Sequence, residues 1–181
     1  MTWIAQTLWD LLVPAPRDST DRCAAVRQRP RRARAIEVKA PVRGAGSMQA
    51  KYDAIVEEMK QVYGIRVRKW RNSSSGVAWT IRYIQSGKIV RLIESPYPRG
   101  PMSCAIFLHE IGHHAIGLGV YKPRCLEEYH VWMWALNKMR ERGFNVTEAV
   151  ERRVEQSMRY AVAKAKRRGL RDLPQELQQY T

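Results

Sequence analysis

All four histidines of the chain lie between positions 109 and 130, and three of them fall within one hexapeptide, HEIGHH at 109–114. Two histidines four residues apart on a helix lie one turn apart on the same side, so His109 and His113 can direct their imidazoles at one metal ion. Glu110, which follows the first histidine, is placed to take a proton from a water molecule activated there. The pattern H-E-x-x-H is typical of a helical zinc site in metallopeptidases, and it predicts peptide-bond hydrolysis.

The residues around the motif favour a buried helix. Nearly every residue from 102 to 116 outside the motif is apolar, three prolines and a glycine precede it at 96–101, and Gly117 and Gly119 follow it. Buried histidines and a buried glutamate need polar partners, and one metal ion is the simplest partner for them. The alternative is a helix whose histidines bond to the backbone or to other side chains, because short motifs also arise by chance.

A catalytic zinc ion usually has three protein ligands and an open fourth position. The metzincin pattern requires a histidine six residues after the second ligand, and Gly119 occupies that position, so this class is excluded. A carboxylate from the next helical stretch, which begins near Cys125, would complete the His-His-Glu ligand set of gluzincins. By spacing, Glu127 and Glu128 both qualify as this third ligand.

At these residues the chain resembles the ImmA/IrrE family of small zinc metallopeptidases. Its active helix reads H-E-[IL]-G-H, matched here at 109–113, and its ligand helix reads roughly E-A-N-x-F-A. When that glutamate is aligned with Glu128, Trp132 takes the aromatic position, whereas Tyr129-His130 departs from the family's Ala-Asn. The resemblance covers residues 49–140. It implies that Glu128 is the third ligand and that Glu127 either faces solvent or supports a ligand.

The resemblance also implies what the site acts on. A regulatory protein such as a DNA-binding repressor is the expected substrate, rather than bulk protein. In related peptidases the substrate is held as an extra strand at a sheet edge, so an edge within residues 65–93 is expected to bind it.

Four further side chains have candidate or neighbouring roles. His130 could be a third metal ligand, a hydrogen-bond donor to the transition state or a core residue. Tyr160 and Arg159 could polarise a substrate carbonyl or stabilise its oxyanion, although a packed tyrosine and a surface arginine are the commoner outcomes. His114 is rotated about 100° from the second ligand, so it is expected to support the site or to lie at the surface.

The remaining pattern predicts an α+β fold of a minimal zincin-like type. A small antiparallel sheet of about three strands would pack with the metal-binding helix and further helices. Residues 85–88 favour a hairpin connection, and Asn145 is expected to cap a later helix. Before the motif, apolar periodicity predicts a helix over 49–63, which Gly64 ends. It also predicts strands over 65–70, 77–84 and 89–93.

Charge and composition divide the chain into two parts. Residues 1–47 are predicted to be an extension with a short amphipathic helix and a disordered basic arm, and 48–181 a metallopeptidase-like domain. The net charge is +15, and two basic segments, 17–43 and 164–171, favour non-specific contact with nucleic acid. The first 13 residues are too short to cross a bilayer and make a poor signal peptide. Three widely spaced cysteines, an odd number without a C-x-x-C motif, fit a reducing, cytoplasmic setting.

These observations favour a zinc-dependent endopeptidase that binds Zn²⁺ through His109, His113 and Glu128 and uses Glu110 as its general base. The alternative is a basic nucleic-acid-binding protein whose metallopeptidase-like domain is associated with DNA or catalytically silent.

Overall fold

The computed structural model describes residues 47–181, and within them the predicted α+β class with three strands is confirmed. The predicted extension, with its basic arm at 17–43, lies outside these residues. The described part contains no helix that is long and apolar enough to cross a membrane. The elements in chain order are α1 (Met48–Tyr63), β1 (Ile65–Arg71), β2 (Val77–Arg82), β3 (Ile89–Pro96), α2 (Pro101–Ile116), α3 (Arg124–Glu141), α4 (Glu148–Arg167) and a 3-10 helix (Gln175–Tyr180).

The sheet has the strand order β1-β3-β2 and is mixed, so the prediction of an antiparallel sheet is wrong. β2 and β3 are antiparallel, as their hairpin requires, but β1 pairs with β3 in parallel. β3 is the most buried strand, and its residues Ile93, Glu94 and Ser95 are all buried. Because β3 is the central strand of the sheet, its backbone groups form hydrogen bonds with a neighbouring strand on each side. The alternating pattern identified three strands, but it does not report which of them are neighbours.

Local signals set several boundaries as expected. Gly64 ends α1 with a left-handed φ of 60°, which costs glycine no steric strain. The predicted hairpin closes with a hydrogen bond of 2.9 Å from the Tyr83 amide to the Lys88 carbonyl. The predicted cap of α4 is wrong, because Thr147 rather than Asn145 accepts the capping hydrogen bond, from the Val150 amide. Thr147 directly precedes the first helical residue, where an N-cap side chain can reach the amide of the third helical residue.

The core lies between one face of the sheet and the helices, with α2 at its centre. Phe107, Leu108 and Ile111 of α2 have no exposed surface, which confirms the predicted buried helix. Gly112, inside the motif, lets α3 approach closely: a Cβ atom there would lie 3.0 Å from Cγ1 of Val131. This close contact between helices brings the start of α3 to the histidines.

Candidate metal centre

The two motif histidines lie side by side on α2, in the interior of the domain. His109 and His113 are 8 % and 3 % exposed, and their ring centroids are 4.9 Å apart with the planes nearly perpendicular. Trp132 of α3 packs against His109, with 4.1 Å between ring centroids. The histidine spacing therefore has the consequence predicted from helix geometry, and an aromatic ring from α3 fixes one imidazole.

Glu128 is the carboxylate that joins this pair. Its Oε2 atom lies 3.3 Å from Nε2 of His109 and 3.7 Å from Nε2 of His113. Within residues 47–181, His109, His113 and Glu128 form the group able to hold a metal ion, with one donor atom from each within 4.8 Å of the others.

The separations of these donor atoms fit a metal ion better than a hydrogen bond. Ligand atoms about 2.0–2.1 Å from a tetrahedral zinc ion lie roughly 3.3 Å from one another. Oε2 of Glu128 lies at this distance, 3.3 Å, from Nε2 of His109 and slightly farther, 3.7 Å, from Nε2 of His113, and 3.7 Å is too long for a hydrogen bond. Two imidazole nitrogens and one carboxylate oxygen are also a donor set that zinc commonly takes. The residues present therefore fit a divalent cation of this kind.

Glu127 has a different position from its neighbour. It has no exposed surface, and its Oε1 atom lies 3.1 Å from Nδ1 of His113, while Oε2 accepts a 2.6 Å hydrogen bond from the Gly119 amide. Burial acts to raise the pKa of Glu127, but the hydrogen bond from His113 and the charge of Arg124 outweigh it and keep the pKa below its usual value. A carboxylate that accepts from Nδ1–H leaves the Nε2 lone pair of the imidazole free for a metal ion. Glu127 thus supports a histidine, as the family resemblance allowed, and does not face solvent.

Arg124 organises both carboxylates from the first turn of α3. Its Nη1 atom lies 3.2 Å from Oε1 of Glu127, and its Nε–H donates a 3.0 Å hydrogen bond to Oε1 of Glu128. Burial acts to raise the pKa of Glu128, but His109, His113 and Arg124 together lower the pKa to about 2. Glu128 is therefore ionised at neutral pH, with one oxygen bound to Arg124 and the other directed at the imidazoles.

His109 is held in its neutral form. Burial, the largest cause, lowers the pKa of His109 below its ordinary value, although the Glu128 carboxylate acts in the opposite direction. Its Nδ1 atom has no hydrogen-bond partner among the described residues. Metal ligation requires this neutral form, because a protonated imidazole has no free lone pair.

Glu110 lies against the loop that joins β1 to β2. It is 5 % exposed, and burial, reinforced by the charge of Glu128, raises its pKa to about 8. A Cβ atom at Gly76 would lie 2.5 Å from Cγ and Oε1 of Glu110, so only glycine fits there without a shift. Arg153 of α4 donates a 3.1 Å hydrogen bond to the Ser74 carbonyl of the same loop. The loop therefore covers the carboxyl group of Glu110 on one side and limits its exposure to bulk solvent.

The other side chains considered from the sequence are not part of the donor group. His114 is buried, with Nε2 3.0 Å from the Leu92 carbonyl oxygen, so it is not at the surface. His130 is half-buried and stacks on Tyr121 with 4.0 Å between ring centroids. Arg159 forms an exposed ion pair with Glu155, and Tyr160 is 63 % exposed. Among the described residues, none of the four belongs to the possible metal-binding group.

Two residues of the site were not found from the sequence. Arg124 stands three and four positions before the two glutamates, a spacing that on a helix indicates ion pairs and could have been recognised. Gly76 follows a serine-rich stretch, a pattern typical of an ordinary loop. Its contact with Glu110 joins positions far apart in the chain, and no local sequence pattern indicates such a contact.

Comparisons of the chain with protein-family models, curated proteins and solved structures give no match.

Proposed function

We propose that this protein is a zinc-dependent endopeptidase. The observation that carries the proposal is the convergence of Nε2 of His109, Nε2 of His113 and Oε2 of Glu128 on α2 and α3, next to the buried carboxyl group of Glu110. A purely structural metal site does not need an adjacent, unligated carboxyl group, whereas hydrolysis needs a base.

The donor set accounts for how the ion would be held. His109, His113 and Glu128 provide three protein ligands and leave room for a fourth, as in catalytic zinc sites. When bound there, zinc would polarise the scissile carbonyl group and lower the pKa of a coordinated water molecule towards about 7.

Glu110 is the proposed general base and later the general acid. As a carboxylate it accepts a proton from the water that attacks the carbonyl carbon, and it returns that proton to the amine nitrogen as the C–N bond breaks. Burial raises the pKa of Glu110 to about 8 in the metal-free protein, and a bound divalent cation would lower that pKa and favour the carboxylate that acts as the base.

We assign the substrate strand to the free edge of β2, the side that does not pair with β3. Gly76, which contacts Glu110, directly precedes β2, so a peptide paired along this edge would run past the base. β2 forms its ladder with β3 alone among the described strands, which leaves its second row of backbone groups for an added strand. Pairing of this kind relies on main-chain hydrogen bonds and makes weak sequence demands.

The resemblance to the ImmA/IrrE family supports a regulatory protein substrate, such as a DNA-binding repressor. The two described cysteines, Cys104 and Cys125, are buried free thiols, which suits the reducing cytoplasm expected from the sequence.

The first test is metal content, measured by mass spectrometry on the wild type and on His113→Ala, Glu128→Ala and Glu110→Gln. We expect one zinc ion per chain in the wild type and in Glu110→Gln, and loss of zinc in the two ligand variants. Absence of zinc from the wild type after reconstitution would sink the proposal.

The second test separates an active peptidase from a catalytically silent metal-binding module. The zinc-loaded wild type and Glu110→Gln are incubated with quenched fluorescent peptide pools and with candidate repressors. Cleavage by the wild type that is absent from Glu110→Gln and stopped by a chelator supports the proposal. Full metal occupancy without cleavage of any substrate would favour the silent module.

A further inference from the structure

The face of the sheet that points away from the helices is amphipathic. Ile65, Val67, Ala78 and Ile93 belong to or pack against the core, so they define the inner face. Residues that alternate with them point to the opposite side, and none of these is part of the buried core within residues 47–181. We refer to this opposite side, formed by alternate residues of β1, β2 and β3, as the outer face.

One half of the outer face is cationic because β1 contains a bulge. Val67 and Lys69 pair with consecutive residues of β3, so Arg68 between them is the extra residue of a bulge. Arg68 and Lys69 therefore both lie on the outer side, where regular alternation would place only one of them. Trp70 confirms the orientation after the bulge, since its ring contacts Tyr97 and Phe107 on the inner side. The outer residues of β1 are Arg66, Arg68, Lys69 and Arg71.

The charge on this half is only partly compensated. Glu94 of β3 accepts ion pairs from Arg68 and Arg71, each at 2.9 Å. Arg66 and Lys69 are exposed, and neither forms an ion pair with any residue in 47–181. Two of the four cations therefore share one carboxylate, and the other two are uncompensated among the described residues.

The other half of the outer face is apolar and contains one aromatic ring. On β2 it comprises Val77, Trp79 and Ile81, and Trp79 lies opposite Leu92 of β3. Val77 and Ile81 are each 38 % exposed, although both are apolar. The guanidinium carbon of Arg68 lies 5.8 Å from the centroid of the Trp79 ring, so the cationic and aromatic halves meet at this pair.

We infer that the outer face binds single-stranded nucleic acid, with phosphates along β1 and bases on Trp79 and the apolar row of β2. Cations along a backbone path and an aromatic platform are the two parts of sequence-tolerant single-strand binding. β1 and β2 are two strand spacings apart, roughly 10 Å, so the two halves can contact the backbone and the bases of one strand.

Charge argues against two other occupants. Basic residues outnumber acidic ones nine to three between positions 17 and 43, so this segment has the same sign of charge as the cationic row. A second copy of the chain, with a net charge of +15, does so as well. An acidic polypeptide would satisfy the cations, but its carboxylate side chains offer no aromatic surface to stack on Trp79. It is therefore the rival that the experiment has to separate.

The test measures binding of a labelled oligothymidylate to the full chain by fluorescence anisotropy over a range of salt concentrations. Arg66→Gln combined with Lys69→Gln removes two cations that have no ion-pair partner, so the fold is preserved. Lys51→Gln combined with Arg99→Gln is the matched control, with the same charge change at two exposed cations on α1 and in the loop before α2, outside the sheet and outside the basic segments 17–43 and 164–171. Circular dichroism checks the fold of each variant.

We expect the double substitution on β1 to reduce the slope of log affinity against log salt by about 1.4, that is about 0.7 for each lost phosphate contact. Trp79→Ala is expected to weaken binding by about tenfold or more through the loss of base stacking. The control pair should change the slope by less than the β1 pair.

Two outcomes would overturn the inference. Equal slope changes for both pairs, with unchanged affinity in Trp79→Ala, would mean diffuse attraction to a basic protein. Competition by polyglutamate as effective as that by unlabelled oligothymidylate, again without an effect of Trp79→Ala, would assign the outer face to an acidic polypeptide.

Discussion

The interface between α2 and α3 and the outer face of the sheet both carry charged side chains, but the two regions differ in how these charges are compensated. At the interface, Glu127 and Glu128 each have defined partners on fixed atoms. On the outer face, Arg66 and Lys69 have no ion-pair partner among the described residues. A buried charge without a partner is costly, whereas an exposed one is hydrated, so only the interior requires a unique arrangement. The interior can therefore set up chemistry, and the surface is left able to bind a partner.

The largest effect is expected from Glu110→Gln, which removes the proposed base and keeps the shape of the interior. Peptidase activity should fall by about 10²–10⁴-fold, the usual contribution of general base catalysis, while zinc content is unchanged. Initial rates of the zinc-loaded proteins and their metal content measure the two quantities. Equal rates for the two proteins would remove Glu110 from the mechanism.

The same variant tests the cost of burying that carboxyl group. Because the folded-state pKa of Glu110 is raised to about 8, the folded protein keeps a proton that the unfolded chain releases near pH 4.5. Retention of this proton contributes to the free energy of unfolding. The contribution is fully present below pH 4.5 and is lost as the pH rises from 4.5 to about 8. Glutamine does not titrate, so above pH 8 metal-free Glu110→Gln should be more stable than the metal-free wild type by up to a few kcal/mol.

Urea unfolding in the presence of a chelator at several pH values between 4 and 9 measures this difference. The difference should grow with pH, and a constant difference across the range would show that Glu110 titrates normally. Glu127 and Glu128 have lowered pKa values, so their contributions are lost only in acid and do not affect the comparison above pH 5.

Glu127→Ala tests the two adjacent glutamates against each other. Because Glu127 orients His113 rather than facing Nε2 of both histidines, its removal should weaken zinc binding by about 10–100-fold without abolishing it. Glu128→Ala should reduce affinity further, since it removes a donor atom. Competition with a chromogenic zinc chelator gives both affinities, and the reverse order would make Glu127 the ligand.

Gly76→Ala tests the packing of the loop against Glu110. The added methyl group would lie 2.5 Å from the carboxyl group, so we expect a loss of stability of about 1–3 kcal/mol and lower activity. Gly100→Ala is the matched control, because a Cβ atom there has no neighbour within 4 Å and the backbone is extended. Because alanine restricts the unfolded chain more than glycine does, the control should keep its stability or gain slightly, and similar destabilisation in both variants would show that the loss does not come from the contact with Glu110.

The smallest effect is expected from Arg159→Gln. Arg159 forms an exposed ion pair with Glu155 one turn away on α4, a contact that typically contributes 0–1 kcal/mol. Stability should change by about 0.5 kcal/mol or less, and activity should not change. A large loss of activity with intact zinc content would restore Arg159 as a candidate to stabilise the transition state.

Much of the local structure was predicted from the sequence because its causes are local. Apolar periodicity identified α1, the three strands and α2, and Gly64 ended α1 as expected. The prediction failed where neighbours in the chain compete, as in the choice of Thr147 over Asn145 as the cap of α4. It also failed for strand pairing, because β1 pairs with β3 in parallel and the sheet is therefore not antiparallel.

For the candidate metal centre, the sequence by itself determined the pairing of His109 with His113, because a helix places residues four apart on one side. It narrowed the third position to two adjacent glutamates, and the family resemblance favoured Glu128. Only the tertiary structure decided between their positions, since the approach of α3 at Gly112 fixes which carboxylate meets Nε2 and which meets Nδ1. It alone also placed Gly76 on Glu110 and the cations of β1 on the outer face of the sheet, because contacts between distant segments depend on packing and leave no pattern along the chain.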